Sequence, residues 1–238
     1  MVKWIEVNTY EEMSRIGAEI FVKQLMNKPN SVLGLATGGT PVGLYEILVQ
    51  QNKEGNISFK DAVTFNLDEY VGLSQQSKAS YWTYMHENLF NHVDIKEEHI
   101  HIPNGIAEDL IIECKEYEQA IESAGGIDLQ LLGIGVNGHI GFNEPGTSFN
   151  SLTHVVELTE STRTENAIYF EEGEEVSTHA LTMGIQSIMN AKELVLLAFG
   201  ERKLDAMKKL QEGVIDEQFP ASQLITHPNI TIIYGGTK

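Results

Sequence analysis

The chain holds one cysteine in 238 residues, Cys114, which excludes an internal disulfide and any thiolate-built zinc cluster. Long apolar runs are missing as well. No stretch approaches the ~20 residues needed to cross a bilayer, and the N-terminus does not read as a secretion signal. Basic residues are few: 16 Lys and Arg stand against 34 Asp and Glu, a formal net charge of −18. Such a surface repels phosphate backbones and argues against nonspecific nucleic-acid binding. These shortages predict a cytoplasmic protein in a reducing compartment, with neither membrane nor nucleic acid as partner. They also set a condition. Any phosphorylated ligand must be held by a few local donors acting against the global field.

What is present is alternation. Strand-like runs fall at Trp4–Val7, Val32–Ala36, Val63–Leu67, His99–Ile102, Ile127–Ile134, Val155–Leu158, Ala180–Met183, Leu194–Phe199 and Ile230–Tyr234. Amphipathic stretches separate them. Thr9-Tyr-Glu-Glu12 is a capping-box pattern opening the first helix. Thr40 followed by Pro41 predicts an N-cap with proline at the first helical position. Further helices are expected over Ser80–Phe90, Ala107–Ala124 (which contains Cys114 as a structural thiol), Thr162–Phe170 and Glu201–Glu212. No repeat or linker divides the chain. The expectation is a single α/β domain, residues 1–238, with an open, mainly parallel twisted sheet and helices on both faces, Rossmann-like in plan. Ligands in such sheets bind at the carboxyl ends of strands.

Four loops after strand ends carry chemistry. Gly133-Ile-Gly-Val-Asn-Gly-His-Ile-Gly-Phe-Asn-Glu-Pro145 packs glycines, Asn137, His139 and Glu144 together. A carboxylate accepting from one imidazole nitrogen would fix the tautomer and leave the other nitrogen free to move protons. Leu35-Ala-Thr-Gly-Gly-Thr-Pro41 joins a strand to a helix start, so backbone N–H groups of Thr37, Gly38, Gly39 and Thr40 form a candidate anion site. It has neither the lysine of a Walker loop nor a dinucleotide fingerprint. Phe65-Asn-Leu-Asp-Glu-Tyr70 places Asp68 and Glu69 at an apolar strand end, where burial raises a carboxyl pKa. Adjacent strand residues point to opposite faces, so at most one of the two is expected to enter a given cleft easily. Arg163 and Lys203 are the cations that follow strand ends and suit a phosphate. His99 and His101 share a strand face but lack a third ligand at a supporting spacing, and are read as structural.

In order along the chain, Ala-Thr-Gly-Gly-Thr-Pro, Phe-Asn-Leu-Asp-Glu-Tyr-Val-Gly-Leu, Gly-His-Ile-Gly-Phe-Asn-Glu-Pro, Thr-Arg and Gly-Glu-Arg-Lys resemble the glucosamine-6-phosphate deaminase (isomerase) family. The resemblance implies conversion of glucosamine 6-phosphate and water to fructose 6-phosphate and ammonia, in amino-sugar breakdown and without metal or organic cofactor. By matched position, Asp68 resembles the base moving a proton from C2 to C1, and His139 the ring-opening residue. Asn137 and Glu144 resemble its assistants. Thr37, Gly38, Gly39, Thr40, Arg163 and Lys203 match the phosphate contacts.

Two departures stand out. Many family members carry aspartate where this chain has Asn137, so a lower His139 pKa is expected than in those relatives. The chain also ends soon after its last strand. It thereby resembles a short branch, monomeric and without the allosteric activator, N-acetylglucosamine 6-phosphate, of larger relatives. Two rivals are a 6-phosphogluconolactonase, which is similar in fold and in its Gly-His loop, and a sugar-phosphate-sensing regulator domain. The first gives Asp68 no task, and the second lacks a visible DNA-reading helix pair. The segment Thr159–Val176, with Glu171, Glu172, Glu174 and Glu175, is expected to be exposed and is a candidate lid.

Overall fold

The computed structural model describes residues 2–160, 163–164, 170 and 176–236. The acidic run 171–175 and most of the helix expected over 162–170 lie outside them. Seven strands form a parallel sheet: β1 (Val2–Val7), β2 (Val32–Leu35), β3 (Val63–Asn66), β5 (Ile100–His101), β6 (Leu129–Leu132), β9 (Leu194–Phe199) and β10 (Ile230–Gly235). Their order is β1-β10-β9-β6-β2-β3-β5. The interior strands are almost wholly buried, as runs such as Leu194-Val-Leu-Leu-Ala require. Each Leu or Ile so buried contributes roughly 1.5–3 kcal/mol.

The main helices are α1 (Tyr10–Asn27), α2 (Val42–Lys53), α3 (Tyr81–Asn88), α4 (Leu110–Ser123), α5 (Ile185–Met189) and α6 (Leu204–Gln211). Gly17 of α1 sits against Leu44 of α2 and Leu197 of β9. Tyr117 of α4 packs edge-on against Phe65. Register puts Phe65 in the row of Gly34, Gln130 and Leu194, and Leu197 has the opposite parity. Helices therefore cover both faces.

Three departures from the sequence reading have physical causes. Residues Asp68–Tyr70 form a strand, β4, although two adjacent carboxylates disfavour one. It pairs antiparallel with β8 (His179–Thr182), which pairs with β7 (His154–Glu157), so these segments make a separate three-stranded sheet. The helix after Pro41 starts at Val42 with no side-chain cap, because Pro41 is itself helical (φ −82°, ψ −5°). The Tyr10 hydroxyl, reaching over from α1, accepts from the Gly43 N–H at 2.9 Å instead. Glu201–Lys203 forms a 3₁₀ turn ahead of α6.

The topology fixes where a ligand can bind. From β2 the chain runs outward through β3 to β5, then returns to β6 on the other side of β2 and proceeds outward to β10. The order reverses between β2 and β6. The loops leaving those two strands are Ala36–Thr40 and Gly133–Pro145, so the crevice at the switch point lies between them.

Candidate active site

A cleft of about 270 Å³ opens there, lined by Thr37, Gly38, Gly39, Thr40, Asp68, Lys78, Tyr81, His139 and Lys203 among others. Six sequence-predicted cleft residues and loop glycines thus meet in one place together with Lys203. Asn137 and Glu144 stand behind His139 rather than in the lining. Arg163 is half-buried, its N–H bonded to Thr159 O at 2.9 Å, and is not among the lining residues.

The first wall is the 36–40 loop, which is braced by tyrosines. Tyr45 donates to Ala36 O at 2.5 Å and accepts from Ala36 N–H. Tyr84 donates to Gly38 O at 2.6 Å. Tyr10 contacts Gly39 O and Thr40 O, both at 3.1 Å. Gly38 has φ +94°, where a Cβ is strained, and its free face opens to space. Three hydroxyls from three helices thus hold a mobile class of sequence in one shape. None was visible from the loop's own residues.

The second wall carries the imidazole. Asn137 Nδ2 donates to Glu144 Oε2 at 2.8 Å, which turns Asn137 Oδ1 toward His139 Nδ1, also at 2.8 Å. An amide oxygen only accepts, so Nδ1 carries a proton, which in the neutral ring leaves the lone pair on Nε2. The direct His139–Glu144 contact expected from the sequence is 3.9 Å, too long for a hydrogen bond, because Asn137 stands between them. Buried Asn143 pins the loop by donating to Ile140 O and Met183 O at 2.8 Å each. Thr182 of β8 accepts from Phe142 N–H at 3.1 Å. At Gly135 a Cβ would stand 2.2 Å from the His139 ring, so the imidazole rests directly on backbone.

Asp68 forms the floor. It is 6% exposed, and its Oδ2 lies 3.3 Å from where a Cβ on Gly141 would be. Burial first, and the neighbouring Glu69 charge second, push its carboxyl up to about 8. Glu69 points away, its carboxylate accepting from the N–H groups of Tyr70, Tyr81 and Trp82. The parity argument held: one acid is in the cleft and the other is at a helix end. A third cation, Lys78, lines the rim without having been signalled by its polar surroundings in the sequence. Outside the cleft, His101 stacks on Phe65 at 4.4 Å, and burial pushes the Cys114 thiol up to about 11.

An open α/β sheet with a braced glycine loop, an imidazole held at Nδ1 by Asn137 and a desolvated carboxylate at its switch point defines a class: enzymes that move protons on small anionic substrates. Residues 9–233 match the family described as Glucosamine-6-phosphate isomerases/6-phosphogluconolactonase, and the chain belongs to that family. It is 69% identical over 237 residues to a glucosamine-6-phosphate deaminase of Lysinibacillus sphaericus (strain C3-41), covering 100% of both chains. A namesake from Thermoanaerobacter pseudethanolicus (strain ATCC 33223 / 39E) is 56% identical over 229 residues, 96% of this chain and 90% of that one. Among solved structures, a monomeric glucosamine-6-phosphate deaminase superposes with a TM-score of 0.95 at 52% identity, over 98% of this chain and 97% of that one. A 6-phosphogluconolactonase from Thermotoga maritima gives 0.78 at 19% identity over all of both chains, which is likeness of fold alone.

Proposed function

We propose that this protein is a deaminating isomerase that takes glucosamine 6-phosphate and water to fructose 6-phosphate and ammonia. The observation carrying the reading is the sharing of one cleft by Asp68 and His139, opposite the 36–40 loop. The named relatives at 69% and 56% identity support the same substrate.

A closed hemiacetal has no acidic α-proton, so the ring must open first. His139, held by Asn137 at Nδ1, takes the C1 hydroxyl proton and passes it to the ring oxygen. Asn137 and Glu144 hold the ring in that tautomer. Opening exposes an aldehyde, and Asp68 then removes the C2 proton. Its raised pKa suits that task, since a solvated carboxylate would be a weak base toward carbon. The same carboxyl delivers the proton to C1, and a proton passes from the amino nitrogen to O1, leaving a hydroxymethyl group at C1 and an imine at C2. Water adds there, the C–N bond breaks, and ammonia leaves. The phosphate rests on Thr37, Gly38, Gly39 and Thr40, with Lys203 in the cleft, and Arg163 from outside its lining, supplying positive charge against the net −18. Such anchoring can contribute on the order of 7–11 kcal/mol toward the barrier through positioning. The sequence carries this out as one domain, acting as a monomer on a soluble sugar phosphate.

The lactonase alternative shares the fold but leaves a buried, high-pKa aspartate without a carbon acid to act on. The decisive assay offers the purified protein glucosamine 6-phosphate and 6-phosphogluconolactone separately. Ammonia and fructose 6-phosphate from the first, with no hydrolysis of the second, is the expected result. Lactone turnover without ammonia would refute the proposal.

A further inference from the structure

Glu69 is 4% exposed, is ionisable, and adjoins another buried acid. The chemistry above gives it nothing to do. Placing a second carboxyl beside Asp68 makes ionising either one harder, so its presence needs a reason. Its three bonds supply one. Oε1 accepts from Tyr70 N–H at 2.8 Å and Tyr81 N–H at 3.0 Å, and Oε2 accepts from Trp82 N–H at 2.9 Å. The last two are the first N–H groups of α3, where a negative charge also meets the positive end of the helix dipole. Ser80 already caps the same helix through Thr83 N–H, so Glu69 is additional to the ordinary cap.

What α3 carries explains the extra bond. Tyr81 in its first turn reaches Thr37 and lines the cleft, and its hydroxyl also donates to Tyr70 at 3.3 Å. Tyr84, three residues further along the helix, donates to Gly38 O. Both contacts fall on the anion loop. We infer that Glu69 is a positioning residue, tying the strand that bears Asp68 to the N-terminus of α3 and so setting the anion loop at a fixed distance from the proton-transferring carboxylate.

The inference rests on the deaminase reading for its catalytic consequence, but not for its binding one. Glu69 also acts on Asp68 through space. The other titratable groups set against Asp68 are Tyr81 from α3 and Tyr117 from α4, and His139, Lys78 and Lys203 line the same cleft. Neutralising Glu69 leaves the charges of these groups as they are, so the charge lost next to Asp68 is that of Glu69 itself.

The test compares wild type with Glu69→Gln, Glu69→Asp and Tyr84→Phe, reading inorganic phosphate affinity by calorimetry and deaminase kinetics across pH. Glu69→Gln turns an amide toward one of the N–H groups. It is expected to weaken phosphate binding and raise KM about tenfold, the worth of one charge-assisted bond. Its acid limb of kcat/KM should fall by about one pH unit, because Asp68 loses the adjacent charge. Glu69→Asp keeps the charge but not the reach, so KM rises while the limb stays. Tyr84→Phe raises KM severalfold with the limb unmoved. Wild-type phosphate affinity in both Glu69 variants, or loss of thermal stability in Glu69→Gln with an unmoved limb, overturns the inference. Should Glu69→Gln fail to fold, unchanged phosphate affinity in Tyr84→Phe does so. Absence of ammonia from wild type would instead fail the functional reading, and the phosphate measurements still decide the coupling.

Discussion

Asp68 shows what burial does to one side chain. A carboxyl raised from 3.8 to about 8 holds its proton in the folded state over a range where the unfolded chain has lost it. The stability this contributes is fully present below about pH 4 and is lost as pH rises toward 8. Asp68→Asn should therefore melt higher than wild type, by a few kcal/mol at pH 9 and by little at pH 4, in calorimetric scans at both pH values. An equal effect at both would mean that desolvation does not set this group. His139 gives a second prediction at this scale. Replacing its neutral acceptor by a charged one, Asn137→Asp, should raise the imidazole pKa by about one unit in an NMR titration. A third concerns Gly135, which is backbone support for the ring. Gly135→Ala drives a Cβ into the imidazole, so activity should fall at least tenfold while the melting temperature moves little. Retained activity would show that the ring has room to shift.

Among elements, α1 is coupled to the cleft through Tyr10. Tyr10→Phe leaves the Gly43 N–H without its acceptor and loosens Gly39 and Thr40, at a cost of about 1–3 kcal/mol in stability and a severalfold higher KM. Chemical denaturation and steady-state kinetics read the two effects separately. Tyr10 also shows where sequence reading stops. The nine strand-like runs all became strands because apolar runs bounded by turns report burial directly. The capping box at Thr9 formed, with Glu12 N–H on the Thr9 hydroxyl, because its partners are local. What failed was long-range. Asp68–Tyr70 is a strand only because β8 lies beside it, and nothing in Asp-Glu-Tyr announces a partner more than a hundred residues away. The tyrosine braces, Asn143 and Lys78 were hidden for the same reason. Asn137 was legible as a residue near His139, but its place between the imidazole and Glu144 depended on side-chain angles that spacing does not encode.

For the molecule as a whole, switch-point topology brings loops separated by about a hundred residues to one rim, while the rest of the surface remains acidic. On the proposed function, the anion-holding donors are concentrated where the chemistry is. No helix among the described residues is long and apolar enough to cross a membrane. The chain covers 97% of a relative that is itself monomeric. In solution it should sediment as a single 26.5 kDa species with a hyperbolic substrate curve, unaltered by N-acetylglucosamine 6-phosphate. Sigmoidal kinetics relieved by that compound would point to a second site and to communication between copies.

The central claim is that one carboxylate carries a hydrogen between neighbouring carbons of a sugar opened by one imidazole in the same cleft. It is tested most directly by following C2 of glucosamine 6-phosphate in D₂O by proton NMR, with wild type and Asp68→Asn side by side. Wild type should lose its C2 proton as ammonia appears, with that hydrogen or solvent deuterium arriving at C1 of fructose 6-phosphate, and the variant should bind the sugar phosphate yet leave C2 protonated. Loss of the C2 proton at the wild-type rate in Asp68→Asn would contradict the account.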